Sequence, residues 1–151
     1  MKISTKGRYA LEAMVDLAYN GEEKLVSLKH ISQRINKSKN YLEQLFVALR
    51  KAEIVSSVRG AQGGYKLAKN AKDITAGEIV RAVEGELAVV HCIERNNCEL
   101  PCENEKNCST QGLWIELKTE INRVLDSVTL DELVACYKDE ISRNKEIEYY
   151  I

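Results

Sequence analysis

Proline is almost absent from this chain, with one residue in 151, and glycine is held to eight. So small a supply of turn-formers argues against disorder and against an all-β fold built from many turns. One Phe and one Trp beside seven Tyr leave a core that must be mainly aliphatic, within a composition that is 44% hydrophobic. No apolar run approaches the roughly 20 residues that a membrane span needs. The N-terminal stretch MKISTKGRYALEAM lacks the apolar segment and cleavage site of a secretory signal. The expectation is therefore a cytoplasmic protein without a membrane partner. There are only two histidines, and no Ser/His/Asp or Cys/His constellation stands out. The glycines at 60–64 lead into a second extended run rather than a helix, which is wrong for a nucleotide loop. The chain does not read as an enzyme.

What is present is charge, unevenly placed. The net charge is −1, yet residues 1–72 hold 14 Lys and Arg against 6 Asp and Glu, a net of +8. Residues 73–151 hold 8 against 17, a net of −9. A basic half of this kind faces a polyanion, and the falling potential toward the acidic half would orient the molecule on it.

Apolar spacing predicts a first helix over Thr5 to Tyr19 on Ala10, Met14, Leu17 and Ala18, stopped by Asn20-Gly21. Ser27 can cap a second helix, Leu28 to Ile35, and Asn36-Lys37 makes a turn. Ser38 caps a third helix whose buried stripe is Leu42, Leu45, Phe46 and Leu49. Two β-rich runs, Ile54 to Val58 and Tyr65 to Leu67, flank the glycine-tipped stretch Arg59-Gly60-Ala61-Gln62-Gly63-Gly64. Two helices joined by a tight turn and followed by such a hairpin make a winged helix-turn-helix. Thr75-Ala-Gly-Glu78 and Thr129-Leu-Asp-Glu132 are capping boxes, the first opening a helix through Val83 and the second a short helix toward Cys136. Between them lies an amphipathic helix from Gln111 to about Leu125. The expected fold is mainly α with a small β-hairpin. It divides into a winged helix-turn-helix DNA-binding domain over 1–84, a cysteine-rich loop over 85–110, and an amphipathic helix with a C-terminal tail over 111–151.

A recognition helix places its first turns in the major groove. Lys39, Asn40, Tyr41, Glu43 and Gln44 occupy those turns. Gln44 can pair with adenine, and Glu43 can accept from cytosine N4. Arg59, with Gly60 beside it, is placed to enter a narrow A·T-rich minor groove. Lys2, Lys6, Arg8, Lys37, Arg50, Lys51 and Lys66, with Lys39, are candidates for phosphate contact, which positions a protein without specifying sequence.

His91, Cys92, Cys98, Cys102 and Cys108 fall within 18 residues, with cysteine spacings of five, three and five. The tight C-x2-C knuckle of most zinc sites is missing. The looser spacing suits an iron–sulfur cluster, and four thiolates are enough for [2Fe–2S]; zinc, a disulfide or free thiols remain alternatives. Cys136, near Leu133 and Val134, reads as a packed core thiol.

The motifs KGRYALEAM, YLEQLFVALRKA, SVRGAQGGYKL, ITAGEI, LW and TLDEL together resemble the iron–sulfur-sensing winged-helix repressors typified by IscR. The nitric oxide sensor NsrR and the cysteine-metabolism repressor CymR are relatives within that family. The resemblance covers nearly the whole chain. It implies a repressor that binds a pseudo-palindromic site in double-stranded DNA as a homodimer, joined through the helix from Gln111 as a dimerisation helix, with the cysteine-rich loop over 85–110 as the sensor. Residues matching Glu43, Gln44 and Arg59 contact DNA in IscR-like members, and Asn40 stands where a serine is familiar. Cys92, Cys98 and Cys108 match cluster cysteines. The fourth family ligand, a histidine, is replaced here by Gln111, which leaves Cys102 first and His91 second as substitutes. The terminal EYYI resembles CymR-like proteins, which lack the cysteine loop. A metabolic enzyme acting as the controlling partner is the alternative this implies.

Overall fold

The computed structural model describes residues 3–22, 24–93 and 108–149. Helix α1 (Thr5–Asn20) starts at Ser4, whose hydroxyl accepts from the Lys6 amide at 3.0 Å. Ala10, Ala13, Met14 and Leu17 recur at helical spacing and are completely buried. At its N-terminus the Glu84 carboxylate accepts from the amides of Ser4 and Gly7 at 3.1 and 2.9 Å, placing an anion against unpaired N–H groups and the positive end of the helix dipole.

Helix α2 (Leu28–Ile35) is capped by Ser27, as its sequence predicts. Asn36 then takes the left-handed conformation (φ 52°), which asparagine tolerates better than most residues, and turns the chain into α3 (Lys39–Lys51). Ser38 stands at the start of α3 and its carbonyl accepts from Leu42, but its hydroxyl makes no capping bond. Leu42, Leu45, Phe46 and Leu49 are buried as expected. The helix pair is clamped to α1 by Asp16, only 4% exposed, which accepts from Arg34 Nε and Nη2 at 2.8 and 2.7 Å. This fork geometry is the strong form of an ion pair, and the carboxylate raises the Arg34 pKa above its ordinary value, chiefly through the hydrogen bond.

Strands β1 (Val55–Val58) and β2 (Gly64–Leu67) pair antiparallel, from Val55 opposite Leu67 to Val58 opposite Gly64. Val26 adds a third position to this sheet by exchanging two backbone bonds with Tyr65, at 2.9 and 2.8 Å. That pairing explains Gly64: a Cβ there would lie 2.7 Å from the Val26 carbonyl oxygen.

Helix α4 (Ala76–Glu84) opens with the complete Thr75/Glu78 capping box. After the described residues resume at 108 come α5 (Gln111–Ser127) and α6 (Leu130–Tyr149). The α5–α6 joint is stitched to the lead into α4, with Ala76 donating to Val128 and Leu130 to Ile74, both at 2.8 Å. Arg81 reaches from α4 to Asn122 and Asp126 of α5. Leu130 and Val134 enter the same buried cluster as α1–α4, so the start of α6 belongs to the winged-helix core.

Besides the expected Ser38 cap, whose hydroxyl bond is not made, two expectations change. The short helix expected after Thr129 runs to Tyr149, since Lys, Glu and Arg sustain a helix without an apolar stripe. Cys136 is exposed rather than packed, because it lies two residues beyond Val134 and therefore points some 200° away from the buried row.

Candidate nucleic-acid interface

The outward face of α3 carries Lys39, Asn40, Glu43, Gln44 and Val47, all exposed. Lys39 Nζ lies 3.4 Å from a Glu43 carboxylate oxygen, one helical turn away. Both partners are about half exposed, and a surface pair of this kind is worth only about 0.3–0.5 kcal/mol. Glu43 is thus screened in the free protein yet costs little to release to a base edge. Tyr41 is half-buried: its ring meets Tyr9 edge-on at 5.8 Å, and its hydroxyl lies 3.4 Å from Thr5 Oγ1. It ties the start of α3 to the start of α1, where Lys6 and Arg8 are exposed. Lys37 is drawn inward, over the Tyr9 ring at 4.4 Å and 3.8 Å from Glu12.

The hairpin is fixed to α3 rather than free to swing. Phe46 and Tyr65 pack edge-on at 4.7 Å, the Ile54 amide donates to Leu49, and Arg50 Nη1 donates to Ser57 Oγ at 3.3 Å. At its tip Gly60 adopts φ 122°, open to glycine and strained for other residues, and the Gly63 amide closes the turn on the Gly60 carbonyl at 3.0 Å. Arg59 stands exposed at that turn, with Lys51 and Lys66 exposed nearby in the chain. The helix face and the glycine tip are thus held in one fixed relation by the buried Phe46 ring and the half-buried Tyr65 ring. Lys2 lies outside the described residues.

The cysteines divide. Cys92 sits exposed on a single 3-10 turn, His91–Ile93. Cys108, half-buried, lies three residues before the first residue of α5. Its sulfur is 3.5 Å from Thr110 Oγ1, and Trp114 Nε1 donates to that same hydroxyl at 3.2 Å. With its oxygen already accepting from Trp114, the Thr110 hydroxyl has its proton free for the sulfur. That bond, then the amides of Thr110 and Gln111, lower the Cys108 thiol pKa from its ordinary value. A thiolate-favouring position at a helix start fits a metal ligand. Sequence reasoning missed Thr110 in this role; the Thr-x3-Trp spacing, one helical turn, was the available signal. Cys98 and Cys102 lie outside the described residues. Among the described residues no three His, Cys, Asp or Glu side chains converge as a metal site.

Helix α5 carries no buried residue over its 17 positions. Leu113, Leu117 and Val124 are 58%, 40% and 52% exposed and share one side of the helix. No helix among the described residues is long and apolar enough to cross a membrane.

A family model described as an iron-dependent transcriptional regulator, Rrf2, matches residues 3–136. The transcriptional regulator IscR of Pectobacterium atrosepticum is 43% identical over 134 residues, covering 89% of this chain and 79% of the relative. The transcriptional regulator CymR of Bacillus subtilis is 46% identical over 139 residues, covering 92% and 93%. The solved structure of T. potens IscR superimposes with a TM-score of 0.72 at 41% identity, over 93% of this chain and 90% of that one.

Proposed function

The chain belongs to the Rrf2 family of transcriptional regulators, and on that premise we propose that it represses transcription by binding a pseudo-palindromic operator as a homodimer in the cytoplasm. The observation that carries this reading is the exposed row Asn40, Glu43 and Gln44 on a helix whose opposite side is buried, held rigidly beside the Arg59–Gly60 tip. Asn40 and Gln44 offer amides suited to adenine, and Glu43 an acceptor suited to cytosine. Lys39, Tyr41, Lys6 and Arg8 supply backbone contacts, and Arg59 enters the minor groove. The two-fold axis runs along the apolar side of α5, which a second copy would cover; protein symmetry then imposes symmetry on the site. A band-shift titration tests it: the protein should bind a selected duplex as two protomers, and Glu43→Ala with Gln44→Ala should lose sequence discrimination before they lose affinity.

For control, the reading is a [2Fe–2S] cluster held by Cys92, Cys98, Cys108 and Cys102, with His91 as the substitute fourth ligand and zinc as the alternative metal. Support comes from the Cys108 thiol, which its surroundings bias toward the thiolate, and from Cys92 standing exposed on the 3-10 turn His91–Ile93. Such a cluster supplies an oxygen- and electron-sensitive group. Anaerobic purification with iron and sulfide analysis tests it on wild type and Cys102→Ala: visible charge-transfer absorption is expected, and colourless iron-free protein after reconstitution counts against it. Identity to CymR, as high as to IscR, favours one second reading, in which a partner enzyme rather than a metal sets DNA affinity.

A further inference from the structure

The outward face of α3 holds one side chain that hydrogen-bond recognition leaves without a part. Val47 is 42% exposed, whereas Leu42, Leu45, Phe46 and Leu49 of the same helix are at most 3% exposed. It lies three residues after Gln44, four after Glu43 and seven after Asn40, so the four share one row. Neither helix formation nor burial accounts for it. Valine is a poorer helix former than alanine or lysine, and the part of the isopropyl group that faces water gains nothing from the hydrophobic effect. Its neighbours in the row carry amides and a carboxylate, while Val47 has neither donor nor acceptor. The one feature of a major groove that a saturated hydrocarbon discriminates is the C5-methyl group of thymine. Branching at Cβ leaves nearly a single χ1 rotamer in a helix, so the group is presented ready-placed. Asn40 to Val47 spans about 10 Å of helix axis, about three base-pair steps of 3.4 Å, so the row can address adjacent positions within one half-site.

We infer that Val47 reads thymine by packing on its C5-methyl group, beside the positions read by Glu43 and Gln44. The inference rests on α3 being the DNA-reading helix. To test it, wild-type protein selects a site from a randomised duplex library. Each thymine of that site is then replaced in turn by deoxyuridine, which removes only the methyl group. Fluorescence anisotropy at fixed salt should reveal one thymine per half-site whose replacement weakens binding about 3–10-fold, the scale of one buried methyl group. Val47→Ala, at an exposed helix position where alanine is the better helix former, should bind the thymine and uracil duplexes alike. Val47→Thr keeps the shape, exchanges one methyl for a hydroxyl, and should show an intermediate ratio. A selected site with no thymine of this kind, or Val47→Ala retaining the wild-type ratio, overturns the inference while leaving DNA binding intact. Failure of intact protein to select any sequence would overturn the DNA-reading role of α3 together with it.

Discussion

The two halves of the molecule handle apolar surface in opposite ways. In the first 80 or so residues, α1 to α4 bury their stripes against one another and against Leu130 and Val134 of α6, and what remains outside is polar and basic apart from isolated side chains such as Val47. In the second half, α5 half-buries Trp114, Ile121 and Leu125 but leaves Leu113, Leu117 and Val124 in the open, on a background rich in Asp and Glu. A stable core thus frees the first half to present a rigid surface to a polyanion. The second half shows an apolar stripe that a single chain does not satisfy. The first half closes its core with only Leu130 and Val134 borrowed from α6, whereas the stripe on α5 stays open to solvent.

The strongest way to break that contrast is to charge the α5 stripe. Leu117→Glu with Val124→Glu places four carboxylates in a two-fold interface and should raise the dimer dissociation constant by at least about a thousandfold, read by analytical ultracentrifugation. Circular dichroism should stay unchanged, because neither residue supports the winged-helix core. Next in size is Arg59→Ala, expected to weaken binding to A·T-flanked sites by about 1–3 kcal/mol; unchanged affinity in a titration removes Arg59 from the interface. Comparable on stability is Asp16→Ala, which takes away the α1–α2 clamp. About 2 kcal/mol of unfolding free energy should be lost in urea denaturation, with Arg34 free to turn toward solvent. Breaking the Lys39–Glu43 pair by Lys39→Ala should move stability by no more than about 0.5 kcal/mol.

The smallest effect is one of pH. The Glu132 carboxylate, held by the amide and then the hydroxyl of Thr129, has its pKa lowered. A carboxylate depressed in the fold stabilises above its unfolded pKa, and the contribution is lost as pH falls through the folded value. Glu132→Ala should therefore melt slightly below wild type at neutral pH, with the gap closing as pH drops below the usual carboxylate range.

The same division governs what could be read from residues alone. Stripes such as Leu42-Leu45-Phe46-Leu49 and the Thr75/Glu78 capping box are local patterns, and helices α1 to α4 with the hairpin followed from them. The family resemblance followed too, because its motifs run through these elements. Val26 as a third sheet position did not, since one residue has no period and its partner Tyr65 is distant in sequence. Nor did the Asp16–Arg34 clamp, an isolated acid and base 18 residues apart. Residues 137–149 looked like a charged tail because they lack a stripe, although Lys, Glu and Arg are good helix formers. At the interface, the exposed face of α3 and the tip at Gly60 were legible. The Thr110–Trp114 support of Cys108 was not, because it depends on where a hydroxyl proton points.

Hydroxyl-radical footprinting on a selected operator tests the central claim most directly. Two protected half-sites related by a two-fold axis are expected, centred about 10 base pairs or a multiple apart, with protection inside each half-site lost in Glu43→Ala/Gln44→Ala and flanking minor-groove protection lost in Arg59→Ala. A single unsymmetrical footprint, or one unaltered by either set of substitutions, would contradict that claim.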